Sequence, residues 1–114
     1  MNGNKFYIFV ADWCPFCRAV KSDLFKLMDN YGHNKNIFLF EESMEGTKDK
    51  AIALNALALP TFIVVDENEK EFAKYPDPAP GEMPDRSYKA LLKFYLTQTD
   101  TSPIEEDKEL LGIE

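Results

Sequence analysis

The passage from Phe6 to Tyr31 constrains this chain most. Five consecutive apolar residues, Phe6-Tyr7-Ile8-Phe9-Val10, lead through Ala11, Asp12 and Trp13 into Cys14-Pro15-Phe16-Cys17. Apolar residues then recur at helical spacing, with Leu24, Leu27, Met28 and Tyr31 at offsets of 4, 7, 8 and 11 from Val20. An unbroken apolar run suits a strand covered on both faces. Pro15 suits a first helical turn, where its missing N–H costs nothing, and Gly32 is a natural stop. The passage therefore predicts a strand ending at a cysteine pair that opens a helix. Cys17 falls on the buried stripe of that helix and Arg18 falls off it.

The pair holds both cysteines of the 114-residue chain. A structural zinc site usually takes four Cys or His ligands. The single histidine, His33, sits between Gly32 and Asn34 and reads as a loop residue, so no metal is expected. Disulfide exchange is the use that fits the spacing. Unpaired N–H groups and the positive end of the helix dipole favour a thiolate at the first turn. Cys14 is placed there as the attacking sulfur. Cys17, one turn further in, reaches back to resolve the bond. Asp12 is a solvated loop acid, a cap or a proton acceptor, and Arg18 is either solvated or a support for the thiolate.

Further along, Ile37-Phe38-Leu39-Phe40 reads as a second strand ending in Glu41 and Glu42. Thr47 is a plausible cap for a short helix to about Asn55, with Ala51 and Leu54 facing in. Strand, helix and strand in that order imply parallel pairing. The run Leu59 to Val65 is a third strand, and Pro60 fits only at its beginning. Asp66 to Glu69 turns the chain into a charged edge strand, Lys70 to Tyr75. Tyr75 to Pro84 holds four prolines in ten residues, which gives either a neutral insertion or a stiff lip beside Pro60. Asp85 is read as the cap of a last helix with Tyr88, Leu91, Leu92, Tyr95 and Leu96 inward. Ile104 to Glu114 carries five acids and one lysine, most of the net charge of −7. It is expected to be disordered or loosely docked. The expected fold is one α/β domain over residues 1–97, a central four-stranded mixed sheet flanked by helices, with an acidic tail over 98–114.

The negative charge argues against nucleic-acid partners, and no apolar run is long enough to span a membrane. Met1 to Lys5 lacks the pattern of a secretory signal, so a reducing cytoplasm is the expected compartment, where paired cysteines are usually catalytic. A monomer is expected.

From about Phe6 to Leu96 the chain resembles the thioredoxin/glutaredoxin superfamily. Trp13 before the first cysteine resembles thioredoxin, and Pro15-Phe16 between the cysteines resembles glutaredoxin. The resemblance implies a thioredoxin-like fold and a cis bond before Pro60, lying against the cysteine pair. It also implies that the backbone of Leu59 faces outward to pair with an extended substrate. Trp13, Pro15, Phe16, Leu59 and Pro60 would then shape the substrate groove. The chain departs from both relatives. Thioredoxins carry a buried carboxylate six residues before the attacking cysteine, where Ile8 stands here, and Glu41 stands where its lysine partner is expected. Asp12, Glu41 or water would have to move the proton of Cys17 instead. Glutaredoxins usually place a lysine at the position of Asp12 and a glycine pair after the last strand, and both are missing.

These readings converge on a cytoplasmic dithiol–disulfide oxidoreductase that reduces protein disulfides through Cys14 and Cys17, serving electron transport and cell redox homeostasis. No bound cofactor is expected. The implied electron donor is external, either thioredoxin reductase with NADPH or glutathione. Two alternatives stay open: a glutathione-dependent glutaredoxin, and a thioredoxin-fold binding module without turnover.

Overall fold

The computed structural model describes residues 2–56, 59–75 and 87–113. Strand β1 (Lys5–Val10) runs into helix α1 (Pro15–Tyr31), a 3-10 turn (Gly32–Asn34) and strand β2 (Ile37–Glu41). Helix α2 (Thr47–Ala53), strands β3 (Thr61–Val65) and β4 (Glu71–Tyr75), and helices α3 (Tyr88–Thr99) and α4 (Glu105–Leu111) follow. The sheet order is β2-β1-β3-β4. β1 pairs with β2 in parallel, as a strand–helix–strand crossover requires, and β3 is antiparallel to both of its neighbours. This is the expected four-stranded mixed sheet flanked by helices.

The period-two alternation of the central strands divides the core between two faces. Phe6, Ile8, Phe62 and Val64 meet Val20, Leu24, Leu27 and Tyr31 of α1 and the five expected residues of α3. Tyr7, Phe9, Ile63 and Val65 form the opposite face, covered by Ala51 of α2 and by Leu54, its C-terminal cap. Both faces of β1 and β3 are therefore filled, which is why their sequences are apolar without interruption. Asp66 closes the β3–β4 turn, its Oδ1 accepting the N–H groups of Asn68 at 2.8 Å and Lys70 at 3.0 Å.

Several local expectations need correction. The expected stop of α1 at Gly32 is observed, in a right-handed conformation, and the left-handed residue is Lys35 after the 3-10 turn. Gly46, at φ +83°, precedes α2 as its cap, and Thr47 is the first helical residue, buried beneath it. The cap of α3 is Ser87, whose hydroxyl accepts the Ala90 N–H at 3.3 Å. Asp85 and the proline-rich stretch 76–84 lie outside the described residues.

The largest correction concerns the tail. It forms α4, pinned by the buried carboxylate of Asp107. That group accepts hydrogen bonds from the Tyr31 hydroxyl of α1 at 2.5 Å and the Tyr88 hydroxyl of α3 at 2.9 Å. Tyr31 Oη also accepts the Ile104 N–H at 3.1 Å. Burial, reinforced by the hydrogen bond to Asp107, holds both phenols well above the usual tyrosine range.

Candidate functional site

Parallel register builds the site. Val10 stands opposite Glu41, so the loops leaving β1 and β2 run side by side at one end of the sheet. Cys14 is the N-cap of α1, and its sulfur accepts the Cys17 N–H at 3.2 Å. This is the first-turn placement expected from the sequence. The Leu59–Pro60 bond is cis, and the Leu59 carbonyl accepts from Cys14 Sγ at 3.5 Å. Ala11, Cys14 and Cys17 form a small buried cluster with Val10 and Leu59 against it. Exposure does not separate the two thiols, since Cys14 is 3% exposed and Cys17 5%. Their places on the helix do: Cys14 caps it and Cys17 lies on its inner face.

On one side of the pair, a cavity of about 500 Å³ is walled by Trp13, Cys14, Pro15, Phe16 and Leu59, with Glu42 and Lys48 among its polar residues. Trp13 is 65% exposed and Phe16 57%, a large apolar rim around a buried sulfur. The Trp13 indole N–H donates to the Glu42 carboxylate. Pro60 is buried and does not line this groove. The sequence marks Glu42 only as the end of a strand, because its link to Trp13 follows from the β1–β2 register.

On the other side, a cavity of about 190 Å³ brings together Cys17, Asp12, Arg18, Lys21 and Glu41 over an apolar floor that includes Leu24 and Leu39. All three residues singled out for thiolate tuning or proton transfer thus share a cavity with Cys17. The Glu41 carboxyl is raised above its ordinary value, first by a hydrogen bond shared with Asp12 and then by repulsion from that charge. Ser43 and Lys21 pull it the other way. Ile8 is fully buried in the core between Leu39 and Phe62, so β1 supplies no carboxylate. No cluster of three or more His, Cys, Asp or Glu residues suited to a metal occurs among the described residues. No helix described is long and apolar enough to cross a membrane.

Residues 4–85 match the family model for thioredoxin. The chain belongs to the thioredoxin family. It superposes on thioredoxin f2 of Chlamydomonas reinhardtii with a TM-score of 0.61 at 18% identity, covering 90% of this chain and 84% of that one. Thioredoxin of Fasciola hepatica gives 0.60 at 18% identity, covering 86% and 83%. Oxidised mitochondrial thioredoxin 3 of Saccharomyces cerevisiae gives 0.55 at 21%, covering 82% and 77%. At these identities the likeness is one of fold. Comparison with curated protein sequences gives no match. Proteins of this family are usually oxidoreductases.

Proposed function

We propose that the protein reduces disulfides in other proteins through a Cys14/Cys17 dithiol cycle. The observation that carries this reading is Cys14 at the cap of α1, its sulfur receiving the Cys17 N–H and facing the Leu59 carbonyl at the end of an aromatic groove. Cys14 thiolate attacks one sulfur of the substrate, a mixed disulfide forms, and the other substrate sulfur leaves as a thiolate. Cys17 then gives up its proton and attacks Cys14 Sγ. The second substrate thiolate leaves, and the Cys14–Cys17 bond closes. An external dithiol or glutathione returns two electrons to the pair. Trp13, Pro15, Phe16 and Leu59 hold the substrate segment.

The proton of Cys17 passes to the Glu41–Asp12 pair across a cavity roomy enough for water. Glu41 must be ionised to accept it, so turnover falls on the acid side at a higher pH than for an ordinary carboxylate. Glu41→Gln removes that limb of the pH–rate profile and slows the resolving step by about 10²–10⁴-fold, the usual scale of general-base catalysis. The folded protein raises the Glu41 value, so it binds more protons there than the unfolded chain does. Stability from this group is therefore present at low pH and is lost as pH rises through the folded value. The same variant should accordingly be slightly more stable than wild type at neutral pH while being slower. A variant both less stable and equally fast would assign Glu41 to structure.

Reduction of a protein disulfide, driven separately by NADPH with thioredoxin reductase and by NADPH with glutathione and glutathione reductase, tests the donor. Asp12 repels the anionic glutathione peptide and favours the first. Turnover only with glutathione would select the glutaredoxin reading. Silence with both donors and with a small dithiol would leave a binding module. We propose the cytoplasm as the compartment, where a cysteine pair of this spacing is usually catalytic.

A further inference from the structure

The outer edge of β2 ends the sheet in an unusual way. Phe6 N–H donates to Asn36 O at 2.7 Å, and Glu42 N–H donates to Val10 O at 2.9 Å. In a parallel ladder these two bonds fix the phase. Residues 36, 38, 40 and 42 turn their backbone groups toward β1, while Ile37, Leu39 and Glu41 turn theirs outward. Glu41 is already capped, since its N–H meets Met44 Sδ at 3.4 Å and its carbonyl accepts Met44 N–H at 2.9 Å. The donors and acceptors of Ile37 and Leu39 remain as the open edge, and among the described residues no strand lies beyond them. Natural edges are usually guarded by a lysine or proline within the strand. Here the strand reads Ile-Phe-Leu-Phe, and Phe38 is 39% exposed.

We infer that this edge pairs with the same edge of a second copy, antiparallel and across a two-fold axis, joining two four-stranded sheets into one of eight. Side chains on one face must stay on one face, which restricts the axis to passing at a residue. An axis at Leu39 would oppose Ile37 to Glu41, whose backbone groups are taken by Met44. An axis at Phe38 opposes Ile37 of each copy to Leu39 of the other, so four unpaired donors meet four unpaired acceptors. It also brings the two exposed Phe38 rings together as a non-hydrogen-bonded pair, the closer kind. The same axis brings Glu41 of each copy toward the segment before Ile37 of the other, where the exposed Lys35 supplies an opposite charge. A two-fold contact of this kind is self-complementary and closes. Neither cysteine takes part in the pairing, although Glu41, the proton acceptor proposed above, lies at each end of the ribbon.

Sedimentation velocity of the Cys14→Ser form over a range of concentrations tests the pairing without disulfide artefacts. Wild-type β2 should give a concentration-dependent shift toward twice the monomer mass. Phe38→Glu and Phe38→Lys, which set like charges against each other at the axis, should each sediment as monomers, and an equimolar mixture of the two should recover the dimer. In the dimer, amide exchange should slow at Ile37 and Leu39 and stay unchanged at Phe38 and Phe40. A monomer at every concentration overturns the inference. A dimer that survives in both single variants, or whose protection falls elsewhere, overturns it as well.

Discussion

Cys17→Ser should convert the protein from a catalyst into a trap. With Cys14 intact, the first attack still proceeds, but no second thiol remains to release the substrate. The expected product is a stable mixed disulfide between Cys14 and the substrate protein, seen as a covalent adduct on a non-reducing gel and lost on reduction. Cys14→Ser should form no adduct and should lower turnover by 10³-fold or more, roughly the scale on which catalysis collapses when a nucleophile is removed. The asymmetry follows from the geometry. Cys14 is the helix cap and borders the groove of Trp13, Phe16 and Leu59, whereas Cys17 faces the opposite cavity with Glu41 and Asp12. Adducts through Cys17 in the Cys14→Ser protein would reverse the assignment.

Asp107→Ala should destabilise the fold by about 3 kcal/mol. The substitution removes two hydrogen bonds to a buried carboxylate, each of which contributes about 1.5–3 kcal/mol, and leaves the Tyr31 and Tyr88 hydroxyls short of an acceptor. Against a total of roughly 5–15 kcal/mol for a domain, that is a large fraction. In urea the midpoint should fall by about 1–2 M at the slope typical of small proteins. Asp107→Asn, which keeps the shape and one acceptor, should lose less. The phenols add a pH signature. Their values are raised in the fold, so their contribution is intact below about pH 10 and is withdrawn as pH rises beyond it. A midpoint unchanged by Asp107→Ala would mean that α4 adds nothing to the domain.

The sequence is most legible where a single periodicity decides the outcome. β1 and β3 are continuous apolar runs because helices cover both faces of the inner sheet. The stripes of α1 and α3 are the core residues of one face. The cysteine pair is legible for a similar reason, since strand, loop and helix start follow one another without interruption. The caps are less legible. Asp85 reads as the cap in the sequence, yet Ser87 stands one residue before the helix and its oxygen accepts the Ala90 N–H. Composition misled at the tail. Acids at Glu105, Glu106 and Glu109 suggest a solvated segment, but Asp107 among them is buried, because two tyrosines from helices distant in sequence meet it. The Trp13–Glu42 bond and the Asp12–Glu41 pair share the same origin. Both depend on β1 and β2 lying in parallel register with Val10 opposite Glu41. No local pattern encodes that register.

The cycle itself is most directly tested in a single turnover without any added donor. Fully reduced protein would be mixed with an oxidised protein substrate, quenched in acid, and its thiols counted by alkylation and mass analysis. The account predicts that every substrate disulfide opened is matched by one Cys14–Cys17 bond closed in the same chain. Substrate opening without that internal bond, or no opening by a folded and fully reduced protein, would contradict it.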